Sequence, residues 1–193
     1  MIKSATIPTP LWQKTLDIYL KKVQLLVMAS HVLEREFLRE NFVPITVEAY
    51  HYLAEKNLIS ENSELIEGVI VRKMPKSPIH SALIRKLIQF FQKTILSNYN
   101  ISSENPLTLR HSEPEPDLAI VDFREDFYAT AHPSFAHLVI EISLSTIAFD
   151  RDKADIYASA NIPEYWIFNL QNKTLEVFQN PSDDKYQIAT VLT

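Results

Sequence analysis

The chain has 193 residues, 46% of them hydrophobic, with a formal net charge of −5 and no cysteine. That apolar share is enough for a folded core and excludes global disorder. The lack of cysteine excludes disulfides, thiolate zinc sites and cysteine nucleophiles.

In chain order, Leu16, Tyr19, Leu20, Val23, Leu26 and Val27 recur at helical spacing, with Leu33, Phe37 and Leu38 continuing more loosely. Pro44 ends this pattern, so residues 1–43 are expected to form a helical extension and residues 44–193 the main domain. Met28 is an alternative start. The N-terminus lacks a charged region followed by an apolar stretch, so no signal peptide is expected. The segment LDIYLKKVQLLVMA is too short and too charged to span a membrane. A cytoplasmic chain without membrane contact is the expectation.

A helix is expected over TVEAYHYLAEK, with Thr46 as N-cap. SELIEGVIVRKM places Gly68, the single glycine, between two apolar runs and predicts a hairpin. Ser77 and Pro78 fit an N-cap and first helical position. Ile79, Leu83, Ile84, Leu87, Ile88, Phe91 and Ile95 then mark the strongest amphipathic helix of the chain. Strands are read over 106–111, 116–122 and 137–143. DRDKADIYASAN reads as a helix opened by Asp150 and closed by Asn161. EYWIFNL, TLEVFQN and YQIATVL read as strands, the first two joined across QNK. Tyr165 and Trp166 are assigned to the core. The fold class is α/β, a mixed α+β sheet flanked by helices.

Charge is uneven along the chain. Residues 72–110 carry seven basic side chains against the single Glu104, whereas residues 111–193 carry five basic and fourteen acidic ones. Such a basic stretch suits a polyanion and equally suits a solvated helix face.

Two acids stand out because they sit in or beside apolar runs: Asp117 in EPEPDLAIVDF and Glu141 in HLVIEISLS. Side chains alternate along strands, so Asp117 shares a face with Ala119 and Val121, and Glu141 with Val139. If the two strands are neighbours the carboxylates converge, and a divalent cation relieves their repulsion. Mg²⁺ or Mn²⁺ suits two carboxylates, waters and phosphate oxygens, and the Ile142 carbonyl adds a hard oxygen. Lys153, expected in the first turn of its helix and on its inward face, can stabilise charge on a reacting phosphoryl group or orient water. Taken singly, a strand-end cap, a buried ion pair and a snorkelling lysine account for the three.

The order of PD before an apolar strand, then VIEIS, resembles the PD-(D/E)XK nuclease motif. SELIEGVI, KSPIHSALIRKL, PEPDLAIV, LVIEISLST and DRDKADIYASANIPEYWIFN together resemble the Uma-two family of restriction endonucleases over residues 44–193. The resemblance implies a restriction-endonuclease-like fold and metal-dependent cleavage of DNA. It implies metal binding by Asp117 and Glu141, with Lys153 serving in place of the superfamily lysine, whose position holds Ser143. Glu64 matches an upstream acid of the site and His80 a frequent family histidine, though a core or capping histidine reads equally well. Leu144, Asn161 and Glu67 depart from the family's usual proline, glycine and aspartate. Homodimers are common where both strands of a duplex are cut, but no residue demands one. A binding module without cleavage is the alternative function. A sugar hydrolase using Asp117 and Glu141 leaves Lys153 idle.

Overall fold

The computed structural model describes residues 41–193, of which Pro44–Thr193 form one compact unit. The helical pattern of residues 16–38 and the alternative start at Met28 lie outside the described residues. No described helix is long and apolar enough to cross a membrane.

Helix α1 spans Val47–Glu55, and the Thr46 hydroxyl accepts the Ala49 N–H at 3.2 Å. Val47 and Tyr50 bury against Leu65 of the next element. Strands β1 (Ser63–Ile66) and β2 (Val69–Arg72) pair antiparallel across a two-residue turn. Both turn residues have positive φ, 48° at Glu67 and 77° at Gly68, the dihedral pattern of a type I′ hairpin. Gly68 is required twice over. A Cβ there would lie 2.3 Å from the Pro44 Cβ. Close approach lets the Ile45 N–H donate to the Gly68 carbonyl.

Helix α2 (Pro78–Thr94) begins as the sequence predicts, with Ser77 as N-cap and Pro78 in its first turn. Its buried stripe runs through His80, Ile84 and Phe91. Ile79, expected in that stripe, is 57% exposed; the helix is rotated so that His80 takes the inward place in the first turn.

A six-stranded sheet follows in the order β3-β4-β5-β6-β7-β8. Its strands are β3 (Tyr99–Ser102), β4 (Leu118–Asp122), β5 (Leu138–Ser143), β6 (Glu164–Asn169), β7 (Thr174–Ser182) and β8 (Lys185–Leu192). Only β5 and β6 run parallel, and helix α3 (Ile147–Ser159) supplies the crossover that a parallel pair needs. Alternation sends Leu118, Ile120, Ile140 and Ile142 toward α2, where they pack with Ile84 and Phe91. Ala119, Val121 and Val139 go to the other face, with Tyr157, Tyr165 and Ile167. The expected mixed sheet flanked by helices is therefore the fold observed.

Three expectations change. Residues 106–111 form no strand: Leu107 and Leu109 are buried, but their N–H groups donate to the carbonyls of Pro114 and Ser112, closing a loop on itself. Strand β3, which the sequence reading passed over, occupies the sheet edge instead. Helix α3 starts at Ile147, three residues before Asp150, so Lys153 lies in its second turn rather than its first. The helix macrodipole disfavours a cation in the first turn and much less so in the second, where Lys153 lies.

Candidate active site

The odd-numbered series that sends Ala119 and Val139 toward α3 also carries Asp117 and Glu141. Strands β4 and β5 pair with Leu118 opposite Ile140, so the two acids meet one step beyond the end of this pairing. Glu141 Oε2 accepts the Asp117 N–H at 3.4 Å, and Asp117 Oδ2 accepts the Ile142 N–H at 2.7 Å. Ile142 thus meets Asp117 through its amide N–H.

From α3, Lys153 donates to Glu141 Oε1 at 3.0 Å and to Glu64 Oε2 at 3.2 Å. Glu64 arrives from β1 and is itself held by the Glu115 N–H. His80, from the first turn of α2, meets Asp117 Oδ2 through Nε2 at 2.8 Å, while its Nδ1 is buried without a partner among the described residues. The fold therefore brings Glu64, His80, Asp117, Glu141, Ile142 and Lys153 into one place. They line, in whole or part, a cavity of about 440 Å³.

Three further residues belong to this network and were missed in the sequence. Lys76 stands 3.1 Å from Asp117 Oδ1. The Tyr157 hydroxyl donates to Glu141 Oε1 at 3.3 Å. Buried Asp150 accepts the Thr146 hydroxyl at 2.7 Å. Only Tyr157 had left a signal, one helical turn after Lys153 on the same face. Asp150 looked like a cap because the helix start was placed at it.

Electrostatics separate the acids. Burial disfavours ionised Asp117, but the His80 bond and charge, the Lys76 ammonium and the Ile142 N–H outweigh it and hold that carboxyl below its ordinary value. Burial first, then the charges of Asp117, Asp150 and Glu64, push Glu141 up to about 8 against the pull of Lys153. Burial also raises Asp150. Burial opposes the charge of Lys153, yet Glu141 and Glu64 hold its ammonium well above the usual lysine range. Lys153 stays charged, and Glu141 takes the proton that the crowded acids cannot all do without.

Among the described residues, no group of three His, Asp or Glu side chains is gathered as a metal cage. The donor set instead fits a hydrated divalent ion. Asp117 and Glu141 offer two hard carboxylates, and the neighbouring Asp117, Asp150 and Glu64 charges that disfavour ionised Glu141 mark a place where positive charge is wanted. Arg72, Lys73 and Lys76 line the same cavity and add basic side chains to the acids.

Comparison with known proteins gives a family and a fold. A family model described as "Uma2: Putative restriction endonuclease" matches residues 47–193. Among solved structures, the chain is similar to a "putative nuclease belonging to DUF820" from Anabaena variabilis. The TM-score is 0.60 at 19% identity, covering 77% of this chain and 84% of the other. At that identity the likeness shows the fold. No curated protein matches.

Proposed function

The chain belongs to the Uma2 family of restriction endonucleases, and on that premise we propose that it is a divalent-metal-dependent endonuclease hydrolysing DNA phosphodiester bonds. One observation carries the reading. Asp117, Glu141 and Lys153, from two strands and a helix, line one cavity, with Glu141 hydrogen-bonded to both the Asp117 N–H and the Lys153 ammonium.

Asp117 and Glu141 would hold Mg²⁺ or Mn²⁺, which when bound supplies charge neutralisation at a phosphoryl oxygen and a more acidic water. Asp117 is kept ionised by His80 and Lys76, so it is ready to act as a hard ligand. His80 is a positioning residue: its Nε2 fixes the rotamer of Asp117. Lys153 keeps its charge in a buried place, where it stabilises negative charge developing on the phosphoryl group more strongly than it would in water. Glu64 is a second carboxylate, beside Glu141, that holds the Lys153 ammonium. Lys76, about one-third exposed and shared between Asp117 and Glu104, can exchange Glu104 for a substrate phosphate.

The test is nicking of supercoiled plasmid with Mg²⁺, Mn²⁺ or EDTA, by the native chain and by Asp117→Ala. Metal-dependent nicking by the native chain alone supports the reading. Absence of both nicking and metal binding in a folded protein overturns it. A second reading has its own support: each acid of the site already has a protein partner, as in a nucleic-acid-binding module that does not cleave. DNA retention without nicking in Mn²⁺ would favour that reading.

A further inference from the structure

A second cavity, of about 740 Å³, shares Lys73 and Glu115 with the first. These two residues form a 2.7 Å ion pair at the boundary. Glu115 also donates its N–H to Glu64, so the boundary is tied directly to the Lys153 network.

The walls of this cavity combine two kinds of surface. Flat rings come from Tyr50, His51, Tyr128 and His132. Hydrogen-bonding groups come from Ser60, Glu61, Thr108 and Glu113. Glu113 is 4% exposed. Both of its oxygens meet His51 Nε2, at 2.8 and 2.7 Å, and one also accepts the Thr108 hydroxyl at 2.8 Å. Tyr128 is held with effort. It and Phe127 adopt consecutive left-handed backbone angles, φ 59° and 48°. The Tyr128 hydroxyl donates to the Asp122 carbonyl, and the Arg124 guanidinium lies 4.9 Å from its ring centre. Left-handed backbone at two aromatic residues is the kind of strain that clusters at ligand clamps.

The charge selects what can enter. Glu61, Glu113 and Glu115 against Lys73 repel a phosphate, while Arg72, Lys73 and Lys76 next door attract one. The strand would therefore keep its backbone in the first cavity and turn a base into the second. Rings supply stacking to any base. Carboxylates accept hydrogen bonds and so favour exocyclic amino groups, as a carboxylate does with cytosine. A paired base inside a duplex cannot reach a walled cavity.

Resting on the nuclease reading above, we infer that the second cavity receives one unpaired nucleobase bearing an exocyclic amino group. That base comes from the strand whose phosphate occupies the Asp117–Glu141–Lys153 site. The enzyme then acts on single-stranded DNA, or on a duplex from which one nucleotide is turned out.

Two measurements test this separately from cleavage. Deoxycytidine, deoxyadenosine, deoxyguanosine and thymidine would be titrated into the full chain and followed by amide NMR. The expected result is shifts at Glu61, Thr108 and Ala131 for the three amino-bearing nucleosides, with thymidine several-fold weaker. Glu61→Gln should narrow that difference, and Ala54→Trp, which fills the cavity from an exposed helix position, should abolish the shifts. No shift with any nucleoside, or equal binding of thymidine, overturns the inference. In the second measurement, cut sites on single-stranded DNA in Mn²⁺ would be sequenced. A base preference at one fixed position beside the cut, flattened by Ala54→Trp, supports the subsite. Cutting without any preference overturns it and leaves the nuclease reading standing. Nucleoside binding without cutting supports the subsite and overturns the nuclease reading.

Discussion

Buried Glu113 and the buried carboxylates around Glu141 lie in the two cavities that share the Lys73–Glu115 pair, and they are provisioned differently. Around Glu113 each charge has its own partners: both oxygens meet His51 and one takes the Thr108 hydroxyl. Around Glu141 the partners are shared. Lys153 serves Glu141 and Glu64 at once, and Asp150 and Asp117 add their charges to the same space. Glu176 repeats the first pattern elsewhere, gripped at 2.8 and 2.6 Å by the Arg151 guanidinium. On the nuclease reading, the difference separates wall from machinery. An acid with a private donor is structural cement, whereas acids competing for one cation keep an unmet demand for positive charge, which a metal ion can satisfy.

The strongest way to break this contrast is to remove a shared charge and measure plasmid nicking. Asp117→Asn and Lys153→Met should each lower the rate by on the order of 10²–10³-fold or more, while Glu176→Gln leaves it within a few-fold. Equal losses in all three would erase the distinction.

Next comes the response of stability to pH in metal-free protein. Glu141 is raised from 4.5 to about 8, so the folded state binds its proton more tightly than the unfolded chain does. Its stabilising contribution is complete below about 4.5 and is lost as pH rises through about 8. The loss is on the order of a few kcal/mol. Asp117, held low, acts oppositely: its contribution is present above 3.8 and fades as pH falls through its folded value. Urea titrations across this range should show stability declining from mildly acid to mildly alkaline pH. Glu141→Gln should flatten that decline. Millimolar Mn²⁺ should do the same in the native chain, because the ion replaces the proton.

At a fixed pH near 8, the two neighbouring regions should respond with opposite signs. Glu113→Gln should destabilise by about 1–3 kcal/mol, the range for a buried hydrogen-bonded group left mismatched. Glu141→Gln should be neutral or stabilising, because a neutral side chain there relieves crowding. Thermal melts of the two variants side by side decide the matter.

The smallest effect is expected at Tyr157. Its hydroxyl is one of several groups around Glu141, at a long 3.3 Å. Tyr157→Phe should therefore cost about 1 kcal/mol or less in a denaturant melt. A larger loss would mean that Glu141 depends on that one donor more than the shared arrangement allows.

Much of this molecule was legible in advance, for local reasons. Thr46, Ser77 and Pro78 mark helix starts because capping is a matter of adjacent residues. Gly68 marks the hairpin because only positive φ closes a two-residue turn of that hand. Asp117 and Glu141 were visible as charges among apolar neighbours, and alternation told which face each would take. The misses come from contacts that periodicity does not report, some of them inside a loop and some between residues far apart in the chain. Leu107 and Leu109 look like a strand until Pro114 and Ser112 supply their backbone partners locally. Ile79 looks like core until the helix rotates His80 inward toward Asp117. Lys76 and Asp150 carry no local mark of a site at all.

The sequence by itself therefore determined most of the elements and the mixed sheet with its helices, and it singled out Asp117, Glu141 and Lys153, which the fold brings together. Caps, turns and periodicity act over a few residues and do not depend on the rest of the chain. Only the tertiary structure decided how the charges are shared: which acid keeps its proton, that Glu64 shares Lys153, and that a second cavity opens past Lys73 and Glu115. Those outcomes depend on burial and on distances of a few ångströms between residues far apart in the chain, and no one-dimensional pattern encodes them.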